Sequence, residues 1–157
     1  MPIANVEITD PKTFRLLNTC IETCTDGEKG YASAAADVRD AALKAIFHAY
    51  SMQRADFVLA LQAAIEKLGA IPVSEGTLRG AAHRGFMGVR MAIEGRPDSA
   101  IIGECERGER AALSAYDHAC ERTPLDQIPK DIRATLIDQR AAIKVAHDDI
   151  LRRLAQH

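Results

Sequence analysis

The chain has 157 residues and a formal net charge of −2, which excludes the basic surface that broad nucleic-acid binding requires. Its 47% hydrophobic and 27% charged residues are typical of a globular protein, and we predict a single domain over residues 1–157. No apolar run approaches the roughly 20 residues that cross a bilayer, and the first residues, MPIANVEITD, do not form a signal peptide. We therefore expect a cytoplasmic protein that binds neither nucleic acid nor a membrane.

The first half of the chain predicts two long helices. Asp10-Pro11 is a helix start, an N-cap followed by proline at the first helical position, and the helical pattern runs to about Val38. Asp40 should cap the second helix, which we expect to end at Leu68-Gly69 with the glycine as its C-cap. Only a short turn separates the two helices, so they should pack as an antiparallel hairpin.

A long connection follows the second helix. After the loop GAIPVSEG, we predict a shorter helix from about Thr77 to Ile93, which is basic and rich in glycine. The connection is long enough to run the length of a helical bundle, and we expect it to lie over the core as a strap. The alternative is that it forms a dimer surface or a site for an anionic partner.

The second half of the chain predicts another helical hairpin, with a turn at TPLDQIP. Its first helix should begin at Asp98 or Ser99 and continue to about Arg122, and its second should run from about Lys130 to Ala155. No segment has the pattern of a strand. The sequence therefore predicts an all-α four-helix bundle of two hairpins, with one long crossover that carries a short fifth helix.

Each long helix carries an apolar stripe that one charged side chain interrupts near its middle. These side chains are Glu28, Arg54, Glu109 and Arg140, in chain order. We expect a buried charged layer in which Glu28 pairs with Arg54 and Glu109 pairs with Arg140. Glu109 belongs to the stretch GECERGE, whose other two glutamates should face water.

Such a layer would be electrically neutral, and the planar guanidinium of arginine suits it because it can bridge carboxylates. The layer need not add net stability, since desolvation is costly, but removal of one partner should cost about 3–5 kcal/mol. Three tyrosines, Tyr31, Tyr50 and Tyr116, also lie on the apolar stripes. We expect their hydroxyls to form hydrogen bonds with the charged layer.

Two short segments recur in the two halves of the chain. CTDGEKG at residues 24–30 matches CERGERA at 105–111, and Gln53-Arg54-Ala55 matches Gln139-Arg140-Ala141. Both matches fall on the charged interruptions of the stripes. This pattern indicates an internal duplication of one helical hairpin.

Four segments, LNTCIETCTDGEKGY, YSMQRADF, ECERGERAALSAY and AIKVAHDDI, carry a resemblance to known proteins. The layout resembles the ferritin-like superfamily, and the chain looks like a bacterial family of four-helix-bundle proteins classed only as a domain of unknown function. The resemblance covers about residues 13–153. It implies a bacterial protein with a stress-related role, and homodimerisation is expected from the superfamily.

Metal-binding members of the superfamily use a glutamate from each of two helices and Glu-x-x-His from each of the other two. By position, Glu28 and Glu109 match the lone glutamates, but Arg54-x-x-Phe57 and Arg140-x-x-Ile143 stand where the Glu-x-x-His pairs would be. Two arginines would repel metal ions in a core of low dielectric constant. The resemblance, with this departure, implies a non-catalytic binding or structural protein without a metal cofactor.

The alternative is a divergent metal–carboxylate protein, either an oxidoreductase or an iron-handling protein. It would bind iron or manganese through Glu28, Glu106, Glu109 and His147. His147 lies one heptad beyond Arg140, on the same stripe. The sequence identifies no small ligand for either hypothesis.

Overall fold

The computed structural model describes residues 11–72 and 95–157. These ranges contain four α-helices, α1 (Pro11–Asp37), α2 (Ala41–Lys67), α3 (Asp98–Arg122) and α4 (Lys130–Gln156), and a short 3-10 helix at Leu125–Gln127. No strand occurs in them, which confirms the predicted all-α class, and each helix begins and ends close to its predicted bounds. None of the described helices is apolar over a stretch long enough to span a lipid bilayer.

Both ends of α2 are set by residues that the sequence singles out. Asp40 is the N-cap, and its Oδ1 accepts a hydrogen bond of 2.9 Å from the backbone nitrogen of Leu43. Gly69 has a φ of 77°, a left-handed conformation that glycine adopts without strain. The amides of Gly69 and the next residue donate to the carbonyls of Glu66 and Ile65, as in the Schellman motif. Asp40 is therefore confirmed as the N-cap, whereas the C-cap is Leu68 and the predicted Gly69 is the left-handed residue directly after it.

The contacts at the helix ends fix the direction of each helix. At one end of the bundle, the carboxylate of Asp98 accepts hydrogen bonds of 2.9 and 3.0 Å from the backbone nitrogens of Arg39 and Asp40, so α3 begins where α1 meets α2. At the opposite end, where α2 finishes, Lys67 Nζ lies 3.6 Å from the carboxylate of Asp131 in the first turn of α4. Hence α1 and α4 run in one direction, and α2 and α3 in the other.

The connection between α2 and α3 therefore starts and finishes at opposite ends of the bundle, as the sequence predicts. The predicted short helix from Thr77 to Ile93 lies outside the described residues. Around the bundle, α1 packs against α2 and α3, and α4 packs against α3 and, less closely, against α2. As a result α2 and α3 face each other diagonally across the core.

The buried apolar side chains form two clusters, one toward each end of the bundle. The cluster toward the end of α2 includes Leu17, Ile21, Leu61, Tyr116, Leu136 and Ile143. The cluster at the opposite end includes Tyr31, Phe47, Ile101, Ile102 and Ile150. The charged side chains that α2 and α3 bury lie between these clusters, at the middle of the molecule.

Candidate functional site

One ion pair crosses the centre of the described bundle from α2 to α3. Arg54 Nη2 lies 2.5 Å from Glu109 Oε1, and both side chains are only 2% exposed. Because α2 and α3 lie on a diagonal, the pair spans the core between the two apolar clusters. The pair joins the two hairpins, since each hairpin contributes one of its members.

The side chain of Arg54 is held along its whole length. Its Nη1 donates a hydrogen bond to Gln53 Oε1, and its guanidinium carbon lies 5.5 Å from the ring centre of Phe57 and 5.9 Å from that of Tyr31. Its aliphatic stem passes Gly27 of α1, where a Cβ would lie 3.3 Å from Arg54 Cγ. Glycine at that position therefore makes room for the stem.

Glu109 accepts a second hydrogen bond on the same oxygen, Oε1, from the hydroxyl of Tyr31. Burial, together with the negative charge of Glu109, raises the pKa of Tyr31 far above its ordinary value, so the phenol keeps its proton and remains a donor. The other oxygen, Oε2, is buried and has no hydrogen-bond partner among the described residues. The expected bond to the charged layer is confirmed for Tyr31, whereas the hydroxyls of Tyr50 and Tyr116 donate to Asp149 and Gln139 instead.

A second network of buried polar side chains is centred on the hydroxyl of Tyr116 in α3. Its hydroxyl donates to Gln139 Oε1 at 2.8 Å and lies 3.0 Å from Cys24 Sγ, while Gln139 Nε2 donates to the carbonyl of Phe57 at 3.3 Å. Burial raises the pKa of Tyr116 well above its ordinary value and that of Cys24 to about 11, so both keep their protons at neutral pH. This neutral network joins all four helices.

The structure places Arg140 away from the central pair. Its side chain is 43% exposed, and its Nε lies 2.5 Å from Asp117 Oδ1 on α3. The hydrogen bond from Arg140 lowers the pKa of Asp117, and the same bond raises the pKa of Arg140. The expected pairing of Arg140 with Glu109 is thus corrected: Asp117 is the partner of Arg140, and Arg54 is the partner of Glu109.

The physical reason is a one-residue ambiguity in the stripe of α4. Between Leu136 and Ile143, a step of four and then three passes through Arg140, whereas a step of three and then four passes through Gln139. The structure buries Gln139 and turns Arg140, about 100° further round the helix, toward the surface. A neutral amide that is hydrogen-bonded costs less to bury than a second guanidinium.

Glu28 is only partly buried, and Gly27 takes the place next to Arg54 that the prediction gave to Glu28. The contact that Glu28 makes with α2 is through its carbonyl, which accepts a hydrogen bond of 2.7 Å from the hydroxyl of Ser51. Among the described ion pairs there is none between Glu28 and Arg54. Of the four residues of the predicted layer, the structure therefore brings together Arg54 and Glu109.

Two residues of the alternative metal site, Glu106 and His147, lie together between α3 and α4. His147 Nε2 is 3.0 Å from Glu106 Oε1, with side chains 14% and 12% exposed, and Arg110 lies 2.9 Å from the other oxygen of Glu106. The hydrogen bond with His147 lowers the pKa of Glu106. Glu106 is thus the centre of a polar cluster near the surface, in which it contacts His147 and Arg110.

The residues at the bundle centre do not fit a di-metal site. The Arg54 guanidinium lies at the bundle centre and donates to Glu109 Oε1, which also accepts from the Tyr31 hydroxyl, so a fixed cation occupies the place beside this carboxylate. Within residues 11–72 and 95–157, no three side chains of the His, Cys, Asp and Glu types lie close enough together to hold a metal ion. The four ligands of the alternative, Glu28, Glu106, Glu109 and His147, accordingly do not form one cluster.

Gln139 and Asp117 are functional-site residues that the apolar stripes do not predict, although the Gln-Arg-Ala repeat contains a signal for Gln139. In α2 the arginine of the repeat, Arg54, faces the core, whereas in α4 the glutamine does and Arg140 faces outward. Both helices contain the dipeptide Gln-Arg, but the core-facing residue is the second of the two in α2 and the first in α4. A repeat alone cannot reveal that rotation.

Helices and buried polar groups together define a four-helix-bundle protein whose central arginine and glutamate pair with each other. The chain belongs to the family described as Domain of unknown function (DUF2383), whose model matches residues 12–122. The resemblance to a domain of unknown function is thereby confirmed. The matched range includes Arg54 and Glu109 and ends before α4. No curated protein matches the chain.

Proposed function

We propose that this protein is a non-catalytic helical bundle with a binding or structural role, in which the Arg54–Glu109 pair stands in place of the di-metal centre of ferritin-like proteins. The observation that carries this proposal is the guanidinium of Arg54 at the bundle centre, buried and bonded to Glu109. A fixed cation there repels metal ions and takes up the carboxylate that would bind one.

The helix directions support the ferritin-like relationship. Two antiparallel hairpins are joined by one connection that starts and finishes at opposite ends of the bundle, which is the topology of bundles with a single long crossover. The resemblance in the four sequence segments points to the same superfamily. From that resemblance we infer a bacterial protein with a stress-related role, which a deletion strain with normal growth under stress would contradict.

The protonation states of the buried groups favour a structural role over catalysis. A thiol acts as a nucleophile in its thiolate form, but burial raises the pKa of Cys24 to about 11 and that of Cys105 to about 12. Tyr31 and Tyr116 also keep their protons, because burial raises the pKa of both hydroxyls. The bundle would therefore act through its surface rather than through chemistry in its core.

The first test is metal analysis of the full chain. Protein purified without chelator, incubated with ferrous iron or manganese and then desalted, should retain far less than one metal ion per chain. The reason is that the central carboxylate is neutralised by Arg54. Elemental analysis that found about one or two tightly held ions per chain would contradict the proposal.

The second test compares the stabilities of two glutamate variants. Glu109→Gln should lower the free energy of unfolding by about 3–5 kcal/mol, because it leaves Arg54 buried without a counter-charge. The matched control is Glu104→Gln on the same helix, where the glutamate is 28% exposed and pairs with Arg96 and Arg107. This control should lose less than about 1 kcal/mol. A metal site would behave in the opposite way, since Glu109→Gln would remove metal ions and relieve carboxylate repulsion.

A further inference from the structure

Two contacts fix how α1 and α3 face each other. The helices are antiparallel neighbours, so residues that lie opposite each other have numbers with a constant sum. The hydroxyl of Tyr31 donates a hydrogen bond to Glu109 Oε1. Two turns away, Cys24 Sγ lies 3.0 Å from the hydroxyl of Tyr116. In both pairs the residue numbers add up to 140, which defines the register of the two helices.

The same register places Cys20 of α1 opposite Cys120 of α3, because these numbers also add up to 140. Cys20 lies one turn before Cys24, and Cys120 lies one turn after Tyr116, so each shares a helix face with a residue that marks the register. Cys20 belongs to the apolar cluster against which Cys120 packs. The pKa of Cys20 is raised by burial and, to a smaller extent, by the nearness of Cys24 and Cys120.

The four cysteines all lie in the described part of the chain, and their positions distinguish this pair from the others. Cys20 and Cys24 are four residues apart on one helix, where Cβ atoms are about 5–6 Å apart, whereas a disulfide needs about 3.5–4.5 Å. Opposite Cys105 the register places Ala35. Closely packed helices have axes about 8 Å apart, so small side chains that face each other directly can reach the disulfide spacing.

We propose that Cys20 and Cys120 form a reversible disulfide in response to a hydroperoxide, and that this bond locks α1 to α3. The bond joins the two hairpins, since α1 belongs to the first and α3 to the second. It closes a loop between positions 100 residues apart, and a cross-link over a long loop strongly restricts the unfolded chain. The proposal does not rest on the proposed function, because it involves neither Arg54 nor Glu109.

The burial of the two thiols sets the order of the reaction. Cys120 is partly exposed and Cys20 is fully buried, so the peroxide reaches Cys120 first. The Cys120 sulfur takes one oxygen atom and becomes a sulfenic acid, while the rest of the peroxide leaves as an alcohol or as water. The Cys20 sulfur then attacks this sulfur, the S–S bond forms, and the S–O bond breaks with release of water. Two thiols lose two electrons, which the peroxide gains.

The surroundings of Cys120 limit the rate of the first step. Burial raises the pKa of the Cys120 thiol, Asp117 raises it further, and Arg140 has the opposite effect. Because the thiolate is the nucleophile, a thiol with a raised pKa reacts slowly at neutral pH. The pair therefore responds to sustained exposure to peroxide and does not turn over as a peroxidase.

The test is the thiol state of the full chain after prolonged exposure to hydrogen peroxide. Free thiols are alkylated in denaturant, and the tryptic peptides are analysed by mass spectrometry. We expect the peptide with Cys120 to be joined to the peptide that contains Cys20 and Cys24, and dithiothreitol to separate them. Cys24→Ser should keep the link and Cys20→Ala should abolish it, which assigns the partner of Cys120. The matched control is Cys105→Ser, which should link like wild type because Ala35 lies opposite it.

The linked protein should also unfold at a higher urea concentration than the reduced protein, and Cys120→Ser should show no such shift after the same treatment. Because Cys120 is partly exposed, this variant should keep its helix content in circular dichroism. Wild-type protein in which Cys20 and Cys120 stay free, or in which Cys120 proceeds to sulfinic acid without linking, would overturn the proposal. A disulfide between two chains, seen as a doubled mass in non-reducing electrophoresis, would also overturn it.

Discussion

Arg54 illustrates how much support a buried charge needs. Its guanidinium contacts a carboxylate, an amide oxygen and two aromatic rings, and its stem fits against the backbone of Gly27. Each contact replaces part of the hydration that the ion loses in the core. The side chain of Arg54 is therefore contacted from several sides, and a substitution at any of these neighbours should weaken the Arg54–Glu109 ion pair.

Two glycines at equivalent positions of the repeat provide a test of that fit. Gly108→Ala should raise the free energy of unfolding by about 0.5–1 kcal/mol, because nothing lies within 4 Å of an added Cβ and alanine favours the helix. Gly27→Ala gains the same helix propensity, but its Cβ would lie against the aliphatic stem of Arg54, and Arg54 cannot move freely because Glu109 holds its guanidinium. We expect a net loss of about 1–3 kcal/mol in urea denaturation. Equal stabilisation by both substitutions would show that Arg54 can move aside.

For individual residues, the sequence predicts which charged side chains lie at the centre of the bundle better than it predicts their partners. Arg54 and Glu109 could be found because each interrupts an apolar stripe. The partner of Arg140 could not, since periodicity locates a stripe only to within one residue, and one residue turns a side chain by about 100°. Gln139 and Arg140 lie on the two sides of that ambiguity, and Asp117 is the partner of Arg140 because Arg140 turns outward.

Among the elements, the helix boundaries were predictable because caps are local chemistry. Asp40 caps α2 through a residue three positions away, and Gly69 ends α2 through its own backbone conformation. Asp98 is different, because its carboxylate bonds the chain at Arg39 and Asp40, in the other hairpin. No local pattern predicts a contact between residues so far apart in sequence.

The Asp98 contact gives a pH-dependent prediction. The hydrogen bond from the Arg39 amide is the main cause that lowers the pKa of Asp98. A carboxyl whose pKa is lower in the folded state adds stability above its unfolded pKa of about 3.9, and that stability is lost as the pH falls through the folded value. Asp98→Ala should therefore cost about 1 kcal/mol at pH 7, as for loss of a cap.

The difference between wild type and Asp98→Ala should shrink as the pH falls below about 4. Denaturation at pH 7, 5, 4 and 3 measures it, with the exposed Asp138→Ala on α4 as the control. A difference that stayed constant down to pH 3 would show that the ionised carboxylate of Asp98 does not hold the hairpins together.

For the whole molecule, lengths and turns were enough to predict two hairpins and one long connection. The duplication also predicted two symmetric ion pairs, and the structure has one at its centre. The symmetry is broken where Arg140 is exposed and Glu28 is only partly buried. Burial of a second ion pair would add another desolvation cost to the free energy of folding. The similarity between the two halves of the sequence does not reveal that cost.

The family match ends at residue 122, but the packing indicates that α4 is essential to the domain. α4 contributes Ile132, Leu136 and Ile143 to one apolar cluster and Ile150 to the other. A fragment of residues 1–122 should therefore lose cooperative unfolding, because it exposes the faces of α2 and α3 that α4 covers. Thermal unfolding followed by circular dichroism measures this, and a sharp transition at the full-length midpoint would show that α4 is an appendage.

The diagonal position of the ion pair affects how the two hairpins can meet. If one hairpin slid along the other by a single helical turn, about 5.4 Å, the guanidinium and the carboxylate would each face apolar neighbours without a counter-ion. Alanine-rich helices offer many nearly equivalent ways to stack, so shape alone discriminates poorly among them. The paired charges would therefore disfavour misdocked arrangements, because each of them leaves a buried charge without its counter-ion.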